Sequence, residues 1–194
     1  MNKYYTNIKL SLADEIVAEV KAIVRKMGTI PKYYYFNIDT VDELVALHST
    51  ILSTRYGVHG TSMAMTGDNN VPHYDFNRQA ALNFAIEDCG AGADTLFYVA
   101  LPGSQMITLS GNSPEEKWGK VVYGPVRQVD SLTLTDSRCV LLNTDELHTV
   151  RNYSRPNRIV LSIDCKVSYR EAYEYFANLG LIELDILDSD RPGL

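Results

Sequence analysis

The stretch RCVLLNTDELHTVRNYSRPNRIVLSIDC, residues 138–165, decides the fold. It holds three runs rich in Val, Ile, Leu and Thr, at 138–143, 147–152 and 158–165. The first two are separated by Asn143-Thr144-Asp145, the last two by a segment ending in Pro156-Asn157. These separators are too short to hold a helix and have the composition of turns. The same texture reaches back to about residue 56, with runs at 57–65, 80–86, 94–101, 105–109 and 126–135 punctuated by Gly, Pro, Asn and Asp. Many short strands at close spacing, with no helix alternating between them, predict an antiparallel sandwich or barrel, of which a jelly roll is the natural form.

The flanks read differently. Over 11–27, Leu12, Ile16, Val20, Ile23, Val24 and Met27 recur at helical intervals, Ser11 and Asp14 have capping-box spacing, and Gly28 follows as a stop. A second helix is expected from Thr40, where Thr40 and Glu43 repeat the capping pattern and Leu44, Val45, Leu47, Ile51 and Leu52 supply an apolar stripe. A third opens at Ser168 and Glu171, runs through Tyr175 and Phe176, and ends near Gly180 ahead of an acidic tail. The expected organisation is one domain over 1–194: a helical part at 1–55, a β core at 56–165, and a C-terminal helix and tail at 166–194. No internal repeat or low-complexity tract interrupts it.

Composition narrows the function classes. A net charge of -6 argues against a protein that lives on nucleic acid or anionic membrane, because phosphate binding needs clustered Lys and Arg. The segment Met1 to Leu10 has no apolar leader, and no apolar run approaches the length of a bilayer span, so a soluble, cytoplasmic protein is expected. Cys89, Cys139 and Cys165 are odd in number and form no Cys-x-x-Cys pair, which suggests neither a disulfide framework nor a zinc cage.

Only four histidines exist, His48, His59, His73 and His148. In extended chain, side chains two apart share a face, so His73 and Asp75 converge while Tyr74 turns away. A later strand can supply a third ligand, and His148 sits in suitable β-branched surroundings. Two imidazoles and a carboxylate on one face of an octahedron leave three positions open for chemistry. Chance alone gives roughly 0.3 occurrences of His-x-Asp in such a chain, so the motif acquires weight only from its company. That company is Arg158, which opens the run Arg158-Ile159-Val160-Leu161-Ser162-Ile163. A 2-oxo acid that chelates iron at one end leaves its far carboxylate needing a partner, and a guanidinium grips a carboxylate bidentately and stays charged when buried. Asp145 and Glu146 lie nearer to His148 in sequence and compete as carboxylate ligands, although Asn143-Thr144-Asp145 suits turn duty better. Arg158 also has competing partners in Asp164 and Asp130.

The pattern His73-Tyr74-Asp75, then Ala81-Leu82-Asn83-Phe84, then Asn143 to Asn152 around His148, then Arg158 to Ser162, resembles the 2-oxoglutarate and iron-dependent oxygenases. Within them it is most similar to the aspartyl/asparaginyl β-hydroxylase group, which includes free-proline hydroxylases. The resemblance spans roughly residues 56 to 165. It implies a mainly β, cupin-like double-stranded β-helix (jelly roll) with the helices flanking it. It implies His73, Asp75 and His148 as Fe(II) ligands, Arg158 on the distal carboxylate of 2-oxoglutarate, and O2 as co-reactant. It also implies hydroxylation of a free amino acid or a peptidyl residue, so the expected partner is a small molecule or a peptide.

Two further residues are candidates for cosubstrate contact. Asn83 is the single polar residue of Ala80 to Ile86, with a structural backbone contact as its other reading, and Tyr98 can place a phenol in the pocket. His48 reads as helix packing, His59 as a pocket residue without a role, and Arg78 and Arg151 as grips for a substrate carboxylate or as plain surface arginines. The rival readings of the whole are a cupin-type metalloenzyme that does not use 2-oxoglutarate, and a non-catalytic β-sandwich binding module with incidental histidines.

Overall fold

The computed structural model describes residues 1–27, 34–35, 39–62, 71–75, 78–87, 89–110, 117–135, 137–152 and 157–183. In chain order the elements are β1 (Tyr5–Ile8), α1 (Asp14–Met27), β2 (Tyr34–Tyr35), α2 (Asp39–Leu47), β3 (Leu52–Ser62), β4 (His73–Asp75), β5 (Ala80–Glu87) and β6 (Ala93–Ala100). They continue with β7 (Gln105–Ser110), β8 (Lys117–Tyr123), β9 (Val126–Thr133), β10 (Cys139–Asn143), β11 (His148–Asn152), β12 (Asn157–Cys165) and α3 (Tyr169–Asn178).

The strands form two sheets, ordered β1-β10-β5-β12-β3-β2 and β7-β8-β4-β11-β6-β9. Every pairing among them is antiparallel. Along the chain β3, β4, β5 and β6 alternate between the sheets, as do β9, β10, β11 and β12. That alternation defines the double-stranded β-helix, a cupin-like jelly roll, with α1, α2 and α3 flanking it. The strands β1 and β2 widen the first sheet, and the β7–β8 hairpin widens the second beside β4.

Period-two alternation sorts each strand of the first sheet into two environments. On one face Leu82, Phe84, Ile86, Leu141, Ile159, Leu161 and Ile163 pack against Ile16, Val20 and Val24 of α1, Val41 and Val45 of α2, and Tyr169, Ala172 and Phe176 of α3. On the other, Tyr5, Ala85, Val140, Leu142 and Val160 meet Phe97, Leu132 and Leu134 from the second sheet and its margin. This second cluster lies between the sheets. Beyond it, on the same face of β12 as Val160, stand Arg158, Ser162 and Asp164, all buried. Helix α3 is opened by the expected capping box, with Ser168 as N-cap and Glu171 at the third position.

Several boundaries differ from expectation. The N-terminal part contributes strand β1, whose sequence YTNI carries little apolar signal and which forms because β10 offers it an edge. The second helix ends at Leu47, since the N–H groups of Ile51 and Leu52 turn back to the His48 carbonyl at 2.9 and 2.8 Å and β3 starts at Leu52. Strand β8, unforeseen, contains Gly119, which breaks the sequence pattern that would have marked it. Among the described residues no helix is long and apolar enough to cross a membrane.

Candidate metal centre

Strands β4 and β11 are neighbours, and their ladder pairs His73 directly with His148. Since Asp75 lies two residues beyond His73, strand alternation brings its carboxylate to the same face. The three side chains each offer a ligand atom, and these atoms all lie within 4.8 Å of one another. No other group of three or more His, Cys, Asp or Glu among the described residues has this property. The competitors are placed elsewhere: Glu146 pairs with Lys3 at 2.9 Å, and Asp145 sits in a turn where its N–H bonds to Asn143 Oδ1 at 3.2 Å.

The local backbone fixes how each imidazole presents itself. His73 Nδ1 lies 3.0 Å from the Val71 carbonyl, and His148 Nδ1 lies 2.8 Å from the Glu146 carbonyl. A carbonyl only accepts, so both Nδ1 atoms carry a proton, and it is the Nε2 atoms that are left to serve the cluster. This is the outer support that metal-ligating histidines require. Burial pushes His148 down to about 4, with His73 adding to the shift and Asp75 opposing it, so the ring is neutral near pH 7. Burial alone would raise Asp75, but Arg78, with His148 and His73, overrides it and holds the carboxyl well below the usual range. Two imidazoles and one ionised carboxylate fit a first-row divalent metal.

Gly119 makes room for this arrangement. It stands opposite Asp75 in the β4–β8 pairing, and a Cβ on it would lie 2.8 Å from the Tyr74 carbonyl oxygen. Thr144, fully buried, ties the end of β4 to the start of β5 by accepting the Asp75 N–H at 3.2 Å through its carbonyl and donating its hydroxyl to the Arg78 carbonyl at 2.7 Å.

Arg158 reaches inward from β12 and donates to Thr95 Oγ1 at 3.3 Å. Only 3% exposed, it makes no ion pair with any described residue, and its Nε has no hydrogen-bond partner among them. Burial lowers the guanidinium from its usual value, with Cys89 and Asp94 only partly opposing. The competing partners Asp164 and Asp130 are engaged by other groups: Asp164 by Arg78 and Arg55, Asp130 by Asn2. Thr95 and Phe97 lie two apart on β6, roughly 7 Å along the strand, and Phe97 pairs with His148. The Arg158 guanidinium and the His-Asp-His cluster therefore face one inner space.

Of the remaining candidates, Asn83 joins this space. It pairs in register with Ser162 on the inner face, and its Oδ1 is buried without a partner among the described residues. Tyr98 does not join, which corrects the expectation for it. As the chain neighbour of Phe97 it falls on the opposite face of β6, packed with Leu96, Val122 and Leu147. His48 is buried in the helical layer, edge-on to Tyr175 and Phe176. The His59 side chain lies outside the described residues, and Arg151 is exposed on β11. Arg78 is neither on the surface nor a free grip: it bonds to Asp75, Ser162 and Asp164. Its only sequence signal was its position three residues after Asp75.

The fold and this cluster together define a jelly roll with a candidate His-Asp-His metal centre and a buried guanidinium, that of Arg158. No family model matches the chain, and no curated protein matches it. Among solved structures it is similar to AviO1 from Streptomyces viridochromogenes Tue57, at 14% identity and a TM-score of 0.45, covering 84% of this chain and 89% of that one. It is also similar to the non-haem α-ketoglutarate-dependent epimerase SnoN from nogalamycin biosynthesis, at 15% identity and a TM-score of 0.44, covering 82% and 76%. The SnoN complex with Fe3+, α-ketoglutarate and nogalamycin RO matches at 15% identity and a TM-score of 0.46, over 82% and 77%. Likeness at this level leaves the functional reading to the residues of the site.

Proposed function

We propose that this protein is an Fe(II) and 2-oxoglutarate-dependent oxygenase that hydroxylates a free amino acid or a peptidyl residue. The observation that carries the reading is Arg158, a buried guanidinium without a carboxylate partner among the described residues, facing the same inner space as His73, Asp75 and His148. Burying a charge without a counter-ion costs several kcal/mol, so the site favours an anion there. A dicarboxylate that also chelates the metal meets both demands at once, whereas a cupin enzyme that does not use 2-oxoglutarate leaves Arg158 unexplained.

In this reading His73 and His148 hold iron through Nε2 and Asp75 through its carboxylate, while Arg158, with Thr95 beside it, fixes the far carboxylate of 2-oxoglutarate. Asn83 Oδ1 offers an acceptor to a donor on the bound molecules. Iron, 2-oxoglutarate and O2 together supply the oxidising chemistry that places oxygen on a substrate C–H bond, with succinate and CO2 released. The chain contributes binding, orientation and exclusion of water, the last through Phe97, Val160 and their neighbours between the sheets. The preference for an amino-acid or peptide substrate follows the likeness of the His73, His148 and Arg158 motifs to the aspartyl/asparaginyl β-hydroxylase group. Succinate release from 2-oxoglutarate, screened across free amino acids and short peptides with Fe(II), tests the proposal. Stimulation by a member of either set supports it, and no succinate with any of them contradicts it.

A further inference from the structure

Arg78 is the least expected residue near the cluster, and three contacts of its guanidinium divide into two directions. Its Nε donates to Asp75 Oδ2 at 2.6 Å. Its Nη1 donates to Ser162 Oγ and to Asp164 Oδ1, both at 2.9 Å. The two oxygens of Asp75 thus have different neighbours: Oδ2 faces the guanidinium, and Oδ1 faces His73 Nε2 at 3.7 Å. Arg78 and Asp164 are both largely buried, so this bridge is not a solvated surface pair. Asp164 is itself held from its other oxygen by Arg55, at 3.4 Å.

Resting on the metal reading above, we infer that Arg78 is a positioning residue that restricts Asp75 to a single metal-ligating oxygen, and that Asp164 holds Arg78 in place for this task. A carboxylate is free to rotate and offer one or two oxygens to a cation. Here rotation would break a short charge-assisted bond and leave a guanidinium beside a buried carboxylate that it no longer faces. A single oxygen from Asp75 keeps open a position that a second oxygen would fill, and the chemistry proposed needs every open position for cosubstrate and O2. The brace also gives β12 two duties on one face. Arg158 at its start binds the anion, and Ser162 and Asp164 near its end hold the arginine that orients the metal ligand. Ligand and anion site are thereby referred to the same strand.

Cobalt(II) titration of the full-length protein tests this, because the intensity and position of the cobalt ligand-field bands report how many donor atoms surround the ion. The wild-type chain should bind Co(II), and Arg78→Gln should bind it about 10- to 100-fold more weakly, the range for removing a partner of a metal ligand. Its bands should also shift. Arg78→Lys, which keeps the charge but cannot reach both carboxylates as a fork, should recover part of the affinity and not the wild-type bands. Asp164→Asn leaves Arg78 and Asp75 in place and should move affinity and bands in the same direction, which keeps the test decisive if circular dichroism shows Arg78→Gln unfolded. Wild-type affinity and bands in folded Arg78→Gln, or in Asp164→Asn where Arg78→Gln is unfolded, overturn this inference alone. A wild-type chain that takes up no Co(II) overturns the metal reading and the inference with it.

Discussion

His73 and His148 stand directly opposite each other across the β4–β11 pairing, ring centroids 4.6 Å apart, and each is oriented by the carbonyl two residues before it. The two imidazoles are placed by the same device: a strand position facing inward and an Nδ1–H returned to the chain's own backbone. Removing either should abolish tight metal binding. His73→Ala and His148→Ala are each expected to weaken Fe(II) or Co(II) uptake by more than about 100-fold, measured by calorimetric titration, because loss of a ligand exceeds loss of its supporting partner. Uptake by His73→Ala at wild-type strength would mean that the cluster is not the metal site.

Gly119 gives a prediction about space rather than chemistry. A Cβ there meets the backbone of Tyr74, and backbone cannot swing aside as a side chain can. Gly119→Ala should therefore displace β4 or β8, lowering stability by about 1 to 3 kcal/mol and weakening metal binding, although the residue offers no ligand. Chemical denaturation and metal titration on this variant check both effects, and a Gly119→Ala protein unchanged in both would show that the strands part without cost.

His48 makes stability depend on pH. Burial lowers its pKa from 6.5, and Nε2 has no partner among the described residues while Nδ1 lies 3.1 Å from the Tyr175 hydroxyl. The unfolded chain then takes up a proton below about pH 6.5 that the folded chain resists. Stability from this group is complete above the unfolded pKa and is lost as pH falls from there toward the folded value. Urea unfolding at pH 7.5 and pH 5.5 should show a drop that is smaller in His48→Gln, which cannot titrate. An equal drop in both proteins would assign the pH dependence elsewhere.

Cys89, Cys139 and Cys165 are all buried and free. Burial pushes the Cys165 thiol up to about 12 and Cys139 well above its usual value, so neither forms the thiolate that reacts. A thiol reagent at pH 8 should label none of the three in the native protein and all three in denaturant. Rapid labelling of the native form at Cys139 or Cys165 would contradict the packing around them.

Much of this was legible in the chain. Residues 138–165 announced three strands, and the structure places β10, β11 and β12 there within a residue. Period-two alternation was enough to bring His73 and Asp75 to one face, and Arg158 stood out as a basic residue that opens an apolar strand ten residues after His148. What stayed hidden depends on register and on long-range pairing. Tyr98 follows an inward residue and therefore points outward, which no composition of the strand reveals without knowing that Phe97 pairs with His148. Arg78 became part of the site through Ser162 and Asp164, more than eighty residues away in sequence. Strand β1 is held by long-range partners, β10 on one side and residues 181–183 on the other.

The most direct test of the central claim is an anaerobic titration of the iron(II)-loaded protein with 2-oxoglutarate, followed by visible absorption. A metal-to-ligand charge-transfer band should rise to saturation in the wild type. In Arg158→Ala it should need at least about tenfold more 2-oxoglutarate, with iron content unchanged, as expected when a charge-assisted bond worth more than about 1.4 kcal/mol is removed. A wild-type protein that binds iron but develops no band, or an Arg158→Ala protein that saturates as the wild type does, would contradict it.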